Sequence, residues 1–216
     1  MLIDRRKHKT AITPYDVEDI FDGESSHDRY RLSGDAVIVH GNDGKPIKVV
    51  ANLPYYITTP AITALLECGC FKSVVVMVQK EVAKRMIAKP GGKDYGALTV
   101  TVGYFSEAEI EFIVPPHCFI PQPNVDSAVI TLKLREEPPF ELDDQEYFFK
   151  VVRAAFCQRR KMLANSLTNA QYLGITRETA VKCIEEIGKN SGIRGEVLSP
   201  EEFGQLSNLL LHNSSF

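Results

Sequence analysis

No stretch of this 216-residue chain is apolar for long enough to cross a bilayer. Its longest purely apolar run, Val74 to Val78, falls far short of the ~20 residues a membrane helix needs. The opening Met1–Lys7 lacks the apolar core of a signal peptide. No charge sign dominates either: 25 Lys and Arg against 28 Asp and Glu leave a formal net charge of −3. Any nucleic-acid function must then rest on a local basic patch rather than on the field of the whole chain. The five cysteines are odd in number and scattered, which suits a reducing compartment better than a disulfide framework. Only Cys68 and Cys70 lie close together, and His8, His27, His40, His117 and His212 show no ligand spacing, so no structural metal is expected. Internal repeats and a glycine-rich turn are also missing. What is present, 44% hydrophobic and 25% charged residues, describes a globular chain of one or two domains. The expectation is a soluble, cytoplasmic, monomeric protein without membrane contact.

From Lys45 to about Arg135, β-branched runs alternate with helical stretches, as in an α/β layer fold. Residues 48–53 and 73–79 are continuous apolar runs, which predict strands buried on both faces. Between them a helix is expected, with Thr59 as its cap, Pro60 in its first turn, Ile62, Leu65 and Leu66 inward, and a stop near Gly69. A second helix over Lys80–Ala88 would turn Val82, Met86 and Ile87 to the core. The segment Ala97–Phe105 favours helix over strand. Residues 109–114 and 127–134 alternate and predict two paired strands around a proline-rich loop. Beyond Glu136-Glu137-Pro138-Pro139 the pattern is helical only, which divides the chain into 1–137 and 138–216. The longest helix is expected from about Asp144 to Leu167, another from Thr176 to Gly188, and a third from the capping box Ser199–Glu202. His8 to Tyr30 is polar without clean periodicity and reads as a loop or weak helix.

Asn52-Leu53-Pro54-Tyr55 directly follows a predicted strand, the place where open α/β sheets bind ligands. The amino nitrogen of adenine is a poor nucleophile because its lone pair is delocalised into the ring. Two acceptors aimed at its two hydrogens favour a pyramidal, reactive nitrogen. The Asn52 side-chain oxygen and the Leu53 carbonyl can serve as those acceptors, Pro54 fixes the backbone, and Tyr55 offers a flat face for stacking. The same four residues also suit a plain strand-ending turn. Val114–Pro123 holds four prolines in ten positions, which stiffens a loop and displays Phe119, either as the second wall of a base slot or as a core plug.

From Tyr147 through Arg177 there is no acidic residue, while Lys150, Arg153, Arg159, Arg160, Lys161 and Arg177 are basic. On a continuous helix Lys150, Arg153, Arg160 and Lys161 share one face, opposite Phe148, Val152, Ala155, Phe156 and Leu163. That face reads as a phosphate-binding stripe or as an ordinary solvated surface. Arg159 projects to the apolar side, where it either packs against the first domain or reaches an inward ligand.

With these residues in place, the chain resembles the KsgA family, the small-subunit ribosomal RNA adenine dimethyltransferases. The matches are Val50–Pro60, Val78–Met86, Asp94–Leu98, Phe119-Ile120-Pro121 with Pro123 and Val125-Asp126-Ser127, and Phe156 with Gln158–Lys161. They are ordered and span roughly residues 45 to 210. The large-subunit Erm enzymes are similar but match the Gln-Arg-Arg-Lys and Val-Gln-Lys-Glu-Val-Ala stretches less well. The resemblance implies a class I S-adenosylmethionine-dependent methyltransferase sheet, Rossmann-like and here N-terminally incomplete, followed by a small all-α domain. It further implies dimethylation of two adjacent adenosines near the 3′ end of small-subunit ribosomal RNA, a role in small-subunit biogenesis, and RNA or the pre-ribosomal particle as partner. Asn52 and Leu53 would grip the target amino group, Tyr55 and Phe119 would sandwich the adenine, and the basic helical region would contact RNA. Gly34-Asp35-Ala36 resembles a family element, which makes Asp35 and Ala36, with Asn52, the candidates for S-adenosylmethionine; Asp43 is the alternative to Asp35. The chain departs from the family in lacking the strand, glycine-rich turn and helix that hold the methionine and ribose portions. Met1-Leu2-Ile3-Asp4 reads as a remnant of the next strand, with Leu2 where an acidic ribose ligand is expected. The alternative function is a catalytically inactive or truncated RNA-binding module for ribosome assembly.

Overall fold

The computed structural model describes residues 29–32, 35–40 and 46–213, the first two strands by their backbone pairing alone. The readings of Met1–Asp4, of His8–Asp28, of Gly34 and of Asp43 lie outside the described residues. Arg29 and Tyr30, the next part of the polar segment, are strand.

The chain divides into two compact units. The first contains the described residues up to Ile87 together with Phe105–Glu136. Its six described strands, β1 (Arg29–Leu32), β2 (Asp35–His40), β3 (Pro46–Asn52), β4 (Ser73–Gln79), β5 (Ser106–Val114) and β6 (Ser127–Leu134), form one sheet in the order β1-β2-β3-β4-β6-β5. Strands β3 and β4 are parallel, and the other described neighbours are antiparallel. A parallel pair needs a crossover, supplied by helix α1 (Thr58–Glu67). This helix begins one residue before the expected cap, and the Thr58 hydroxyl donates back to the Pro54 carbonyl at 3.1 Å. Ile62, Leu65 and Leu66 are buried as expected, and Gly69 leaves the helix in the left-handed region at φ +63°, which a side chain resists.

Strands β3 and β4 are not buried on both faces, contrary to their apolar text. Val49, Ala51, Val74, Val76 and Val78 line a fully covered face, whereas Val50 on the other is 46% exposed. Side chains alternate along a strand, so an unbroken apolar run does not by itself guarantee two covered faces. On the same face of the sheet, Ala128, Ile130 and Leu132 of β6, in register with Val78, Val76 and Val74, continue the core. Helix α2 (Lys80–Met86) buries Ala83 and Met86; Ile87, assigned inward on periodicity, lies past the helix end and is exposed.

The second unit contains residues 88–104 and those from Glu137 onward. Its helices are α3 (Ala97–Phe105, whose last residue belongs to the first unit), α4 (Gln145–Cys157), α5 (Leu163–Asn169), α6 (Arg177–Glu186) and α7 (Pro200–Asn213). Segment 88–104 therefore groups with the C-terminal helices rather than with the sheet, unlike the division at 137/138. The cause is aromatic burial. The Tyr95 hydroxyl donates to the Leu198 carbonyl at 2.7 Å, and burial, with Glu201 and Glu202 nearby, pushes its phenol well above the ordinary range. The Tyr104 ring lies 5.3 to 5.7 Å from the rings of Phe140, Phe148 and Phe149. Among the described residues no helix is long and apolar enough to cross a membrane.

The expected long helix over Asp144–Leu167 is two helices, α4 and α5, separated by a turn at residues 158–162. Gln158 leaves helical geometry at φ −129°, ψ 63°, and the Leu163 N–H, which a continuous helix would use internally, donates to the Ile193 carbonyl at 2.7 Å. The capping box of α7 forms as expected. Ser199 N–H donates to the Glu202 carboxylate at 2.9 Å, and Glu202 N–H donates to the Ser199 hydroxyl at 3.2 Å.

Candidate active site and nucleic-acid surface

Asn52 is the last residue of β3, and its register partner on β4 is Met77. The Leu53 N–H donates to the Met77 carbonyl at 3.3 Å, so the strand edge persists one residue further. Leu53 is only 3% exposed and anchors the segment in the core, while Asn52, Pro54 and Tyr55 on either side of it are exposed. Pro54 ends the strand geometry at φ −57°, ψ 134°, and its carbonyl accepts from the Ile57 N–H as well as from Thr58, closing a tight turn over Tyr55–Ile57. The strand end is thus fixed by the buried Leu53 and the engaged Pro54 carbonyl, and Asn52 and Tyr55 are exposed beside them.

Tyr55 is also held at its far end. Its hydroxyl lies 2.8 Å from the hydroxyl of Ser127, the first residue of β6, which is fully buried. Next to Ser127, Asp126 is clamped to the start of α2: the Lys80 N–H donates to its carbonyl at 3.0 Å, and the Lys80 ammonium pairs with its carboxylate at 2.7 Å. The sequence places Asp126 and Ser127 within the family resemblance but assigns them no role, because their partners are far away in the chain. The signal available was only a Ser at the first position of an alternating strand.

Phe119 is half-buried at the end of a short 3-10 turn over Pro116–Cys118, in an extended conformation, with its N–H donating to the Pro116 carbonyl at 3.1 Å. Its loop leaves β5 at Val114, which is paired in register with Ser127. The candidate cofactor residues Asp35 and Ala36 open β2, where the antiparallel register sets them opposite Asn52 and Ala51. The backbone thus brings Asp35 and Asn52 to the same end of the sheet, a placement that suits the adenosine end of a nucleoside cofactor. The described residues offer no glycine-rich turn for its methionine end. Among the described residues no group of three or more His, Cys, Asp or Glu could hold a metal ion.

The basic residues divide into three groups. Lys150 and Arg153 lie on α4, Lys150 paired with Glu146 one turn earlier at 2.7 Å and Arg153 exposed. Arg160 and Lys161 do not share that helical face, because the helix has ended; both are exposed in the turn between α4 and α5. Arg159 stands apart from the stripe. Its guanidinium donates to the carbonyls of Lys93 at 2.9 Å and Tyr95 at 2.8 Å and lies 3.5 Å from the Glu196 carboxylate, so it ties segment 88–104 to the helices of its own unit. Tyr172, which no sequence motif singles out, is 54% exposed, and its hydroxyl meets the Lys150 carbonyl at 3.5 Å, which sets an aromatic face beside the cations of α4.

The mixed α/β sheet with its crossover helix is consistent with a class I S-adenosylmethionine-dependent methyltransferase fold, and solved structures agree. A dimethyladenosine transferase from Plasmodium falciparum is similar with a TM-score of 0.65 and 25% identity, over 75% of this chain and 66% of that one. The 23S rRNA methyltransferase ErmE is similar with a TM-score of 0.52 and 27% identity, over 74% of this chain and 64% of that one. The family pattern of ribosomal RNA adenine dimethylase matches residues 13–209, and the chain belongs to that family. Among its relatives is the ribosomal RNA small subunit methyltransferase A of Lachnoclostridium phytofermentans, 46% identical over 86% of this chain and 64% of that protein. The protein of the same name from Geobacillus kaustophilus is 53% identical over 75% of this chain and 56% of its own length. The chain thus spans less than two thirds of the length of these curated relatives.

Proposed function

We propose that this chain dimethylates the N6 amino group of two adjacent adenosines near the 3′ end of small-subunit ribosomal RNA, and so takes part in small-subunit biogenesis. The observation that carries this reading is the exposure of Asn52 and Tyr55 at a strand end pinned by Leu53, Pro54 and Thr58. Asn52 and the Leu53 carbonyl accept the two amino hydrogens and draw the nitrogen lone pair out of conjugation, and Tyr55 and Phe119 stack on the two faces of the purine. S-adenosylmethionine, when bound, supplies an electrophilic methyl group. The residues contribute positioning, since the amine can shed its extra proton after transfer and requires no general base beforehand. Asp35, Ala36 and Asn52 are the residues proposed to face the cofactor. Lys150, Arg153, Arg160 and Lys161 are proposed to neutralise RNA phosphates. Arg159, engaged by backbone carbonyls, stands outside that group.

Asn52→Ala is the direct test. Loss of one preorganised acceptor should lower methylation about 100- to 1,000-fold while RNA affinity stays close to that of the native chain. Equal turnover would remove Asn52 from the chemistry. The second reading is a catalytically silent RNA-binding module, for which Arg160 and Lys161, exposed in the turn between α4 and α5, would suffice. Calorimetric titration with S-adenosylmethionine separates the two: binding heat supports an enzyme, and neither heat nor a thermal shift supports the module.

A further inference from the structure

We infer that Ser127 is a positioning residue for base recognition, holding the Tyr55 ring at a fixed angle and tying it to the strand from which the Phe119 loop departs. The inference rests on the proposal that Tyr55 stacks on adenine.

An exposed tyrosine in a turn satisfies its hydroxyl with water and turns freely about its side-chain bonds. Tyr55 is 38% exposed, yet its hydroxyl is taken by a serine that is 0% exposed, at 2.8 Å. The serine gains from the bond because a buried hydroxyl needs a partner. The tyrosine gains an orientation, since a ring held both at its backbone turn and at its phenol has little freedom left.

The anchor itself cannot drift. Ser127 is paired in register with Gln79 of β4 on one side and Val114 of β5 on the other. The residue before it is clamped to Lys80 through both its carbonyl and its carboxylate. Val114 is where the proline-rich loop to Phe119 begins. One residue is therefore hydrogen-bonded to the first proposed wall of the base slot and in register with the strand that carries the second. Ser127 does not touch the base; it acts through Tyr55.

The test uses the full chain and a short single-stranded RNA with 2-aminopurine at one position. This base reports stacking by fluorescence quenching and does not depend on the amino group that Asn52 would grip. Ser127→Ala and Tyr55→Phe should each weaken the quenching-derived affinity by about 3- to 10-fold, the scale of one missing hydrogen bond. The double variant should be no worse than either single one, because both remove the same bond. Ser127→Thr, which keeps the hydroxyl, should recover most of the affinity. Thermal melting of each variant separates a loss of stacking from a loss of fold. Native-like quenching in Ser127→Ala, additive losses in the double variant, or a lower melting temperature with unchanged quenching would each overturn the positioning role. No quenching by the native chain would instead overturn the stacking proposal itself, and Ser127's role with it, so the two failures read differently.

Discussion

Phe119 and Tyr55 reach solvent by different means, and the difference sets what each substitution should do. Tyr55 has a polar handle, the bond to Ser127. Phe119 has none and depends on a backbone restrained by Pro115, Pro116, Pro121 and Pro123 around it. Phe119→Leu keeps apolar bulk and loses the flat face. Because a base stacked on an aromatic ring is worth about 1–3 kcal/mol, the variant should bind adenosine-containing single-stranded RNA about 5- to 100-fold more weakly while melting like the native chain. Binding titration and a melting curve check this; intact affinity with an early melt would return Phe119 to the role of core plug. At this scale the sequence was most informative where chemistry is local. Asn52 to Tyr55 are four consecutive residues at a strand end, so their placement there could be read from the text. Ser127 could not be assigned a role, because its partner is 72 residues away. The partners of Arg159 were hidden for the same reason: set apart from the stripe on periodicity, its guanidinium is engaged by carbonyls 64 and 66 residues earlier in the chain.

Helices with explicit end signals were legible, and the helix interrupted by tertiary contacts was not. The Ser199–Glu202 box predicted the start of α7 correctly because both halves of the cap lie within four residues. The break between α4 and α5 carries no Gly or Pro, and the periodicity continues through it. It arises because Ile193 claims the Leu163 N–H. Similarly, apolar text in β3 and β4 located both strands but not the exposure of Val50. The cap of α7 also has a pH signature. Burial alone would raise the Glu202 carboxyl, but hydrogen bonds from the Lys189 ammonium and the Ser199 N–H, with the Lys189 charge, outweigh it and hold it below the ordinary 4.5. The ionised form is thus favoured by folding. Its stabilisation is present in full above pH 4.5 and is lost as the pH falls through the lowered folded value. Glu202→Gln should cost about 1 kcal/mol near neutrality, the scale of a capping interaction, and the gap from the native chain should narrow on acidification. Denaturant melts between neutral and acid pH measure it; a gap that does not change with pH would show that charge is irrelevant to this cap.

For the molecule as a whole, a formal net charge of −3 argues against nonspecific attraction to RNA, so affinity must come from where the cations are placed. Much of the basic text is internally committed. Lys80, Lys182, Lys189, Arg135, Arg159 and Arg194 each face a carboxylate within the unit that holds them, and Lys150 would exchange its surface pair with Glu146 for a phosphate. Arg160 and Lys161 are instead exposed at the turn where α4 ends, a position from which two adjacent side chains can reach neighbouring phosphates of one strand. Replacing both by Ala should therefore lower RNA affinity at low salt and flatten its dependence on salt. The slope of log affinity against log salt should fall by about 1 for each phosphate that is no longer neutralised, because fewer counterions are released on binding. Fold stability should change little, since the side chains lie outside the core. Raising the salt should then bring the native and double-variant affinities together, which distinguishes missing charge from a damaged surface. Parallel salt curves, offset but equally steep, would mean that the turn shapes the interface without neutralising phosphate; coincident curves would place the RNA elsewhere.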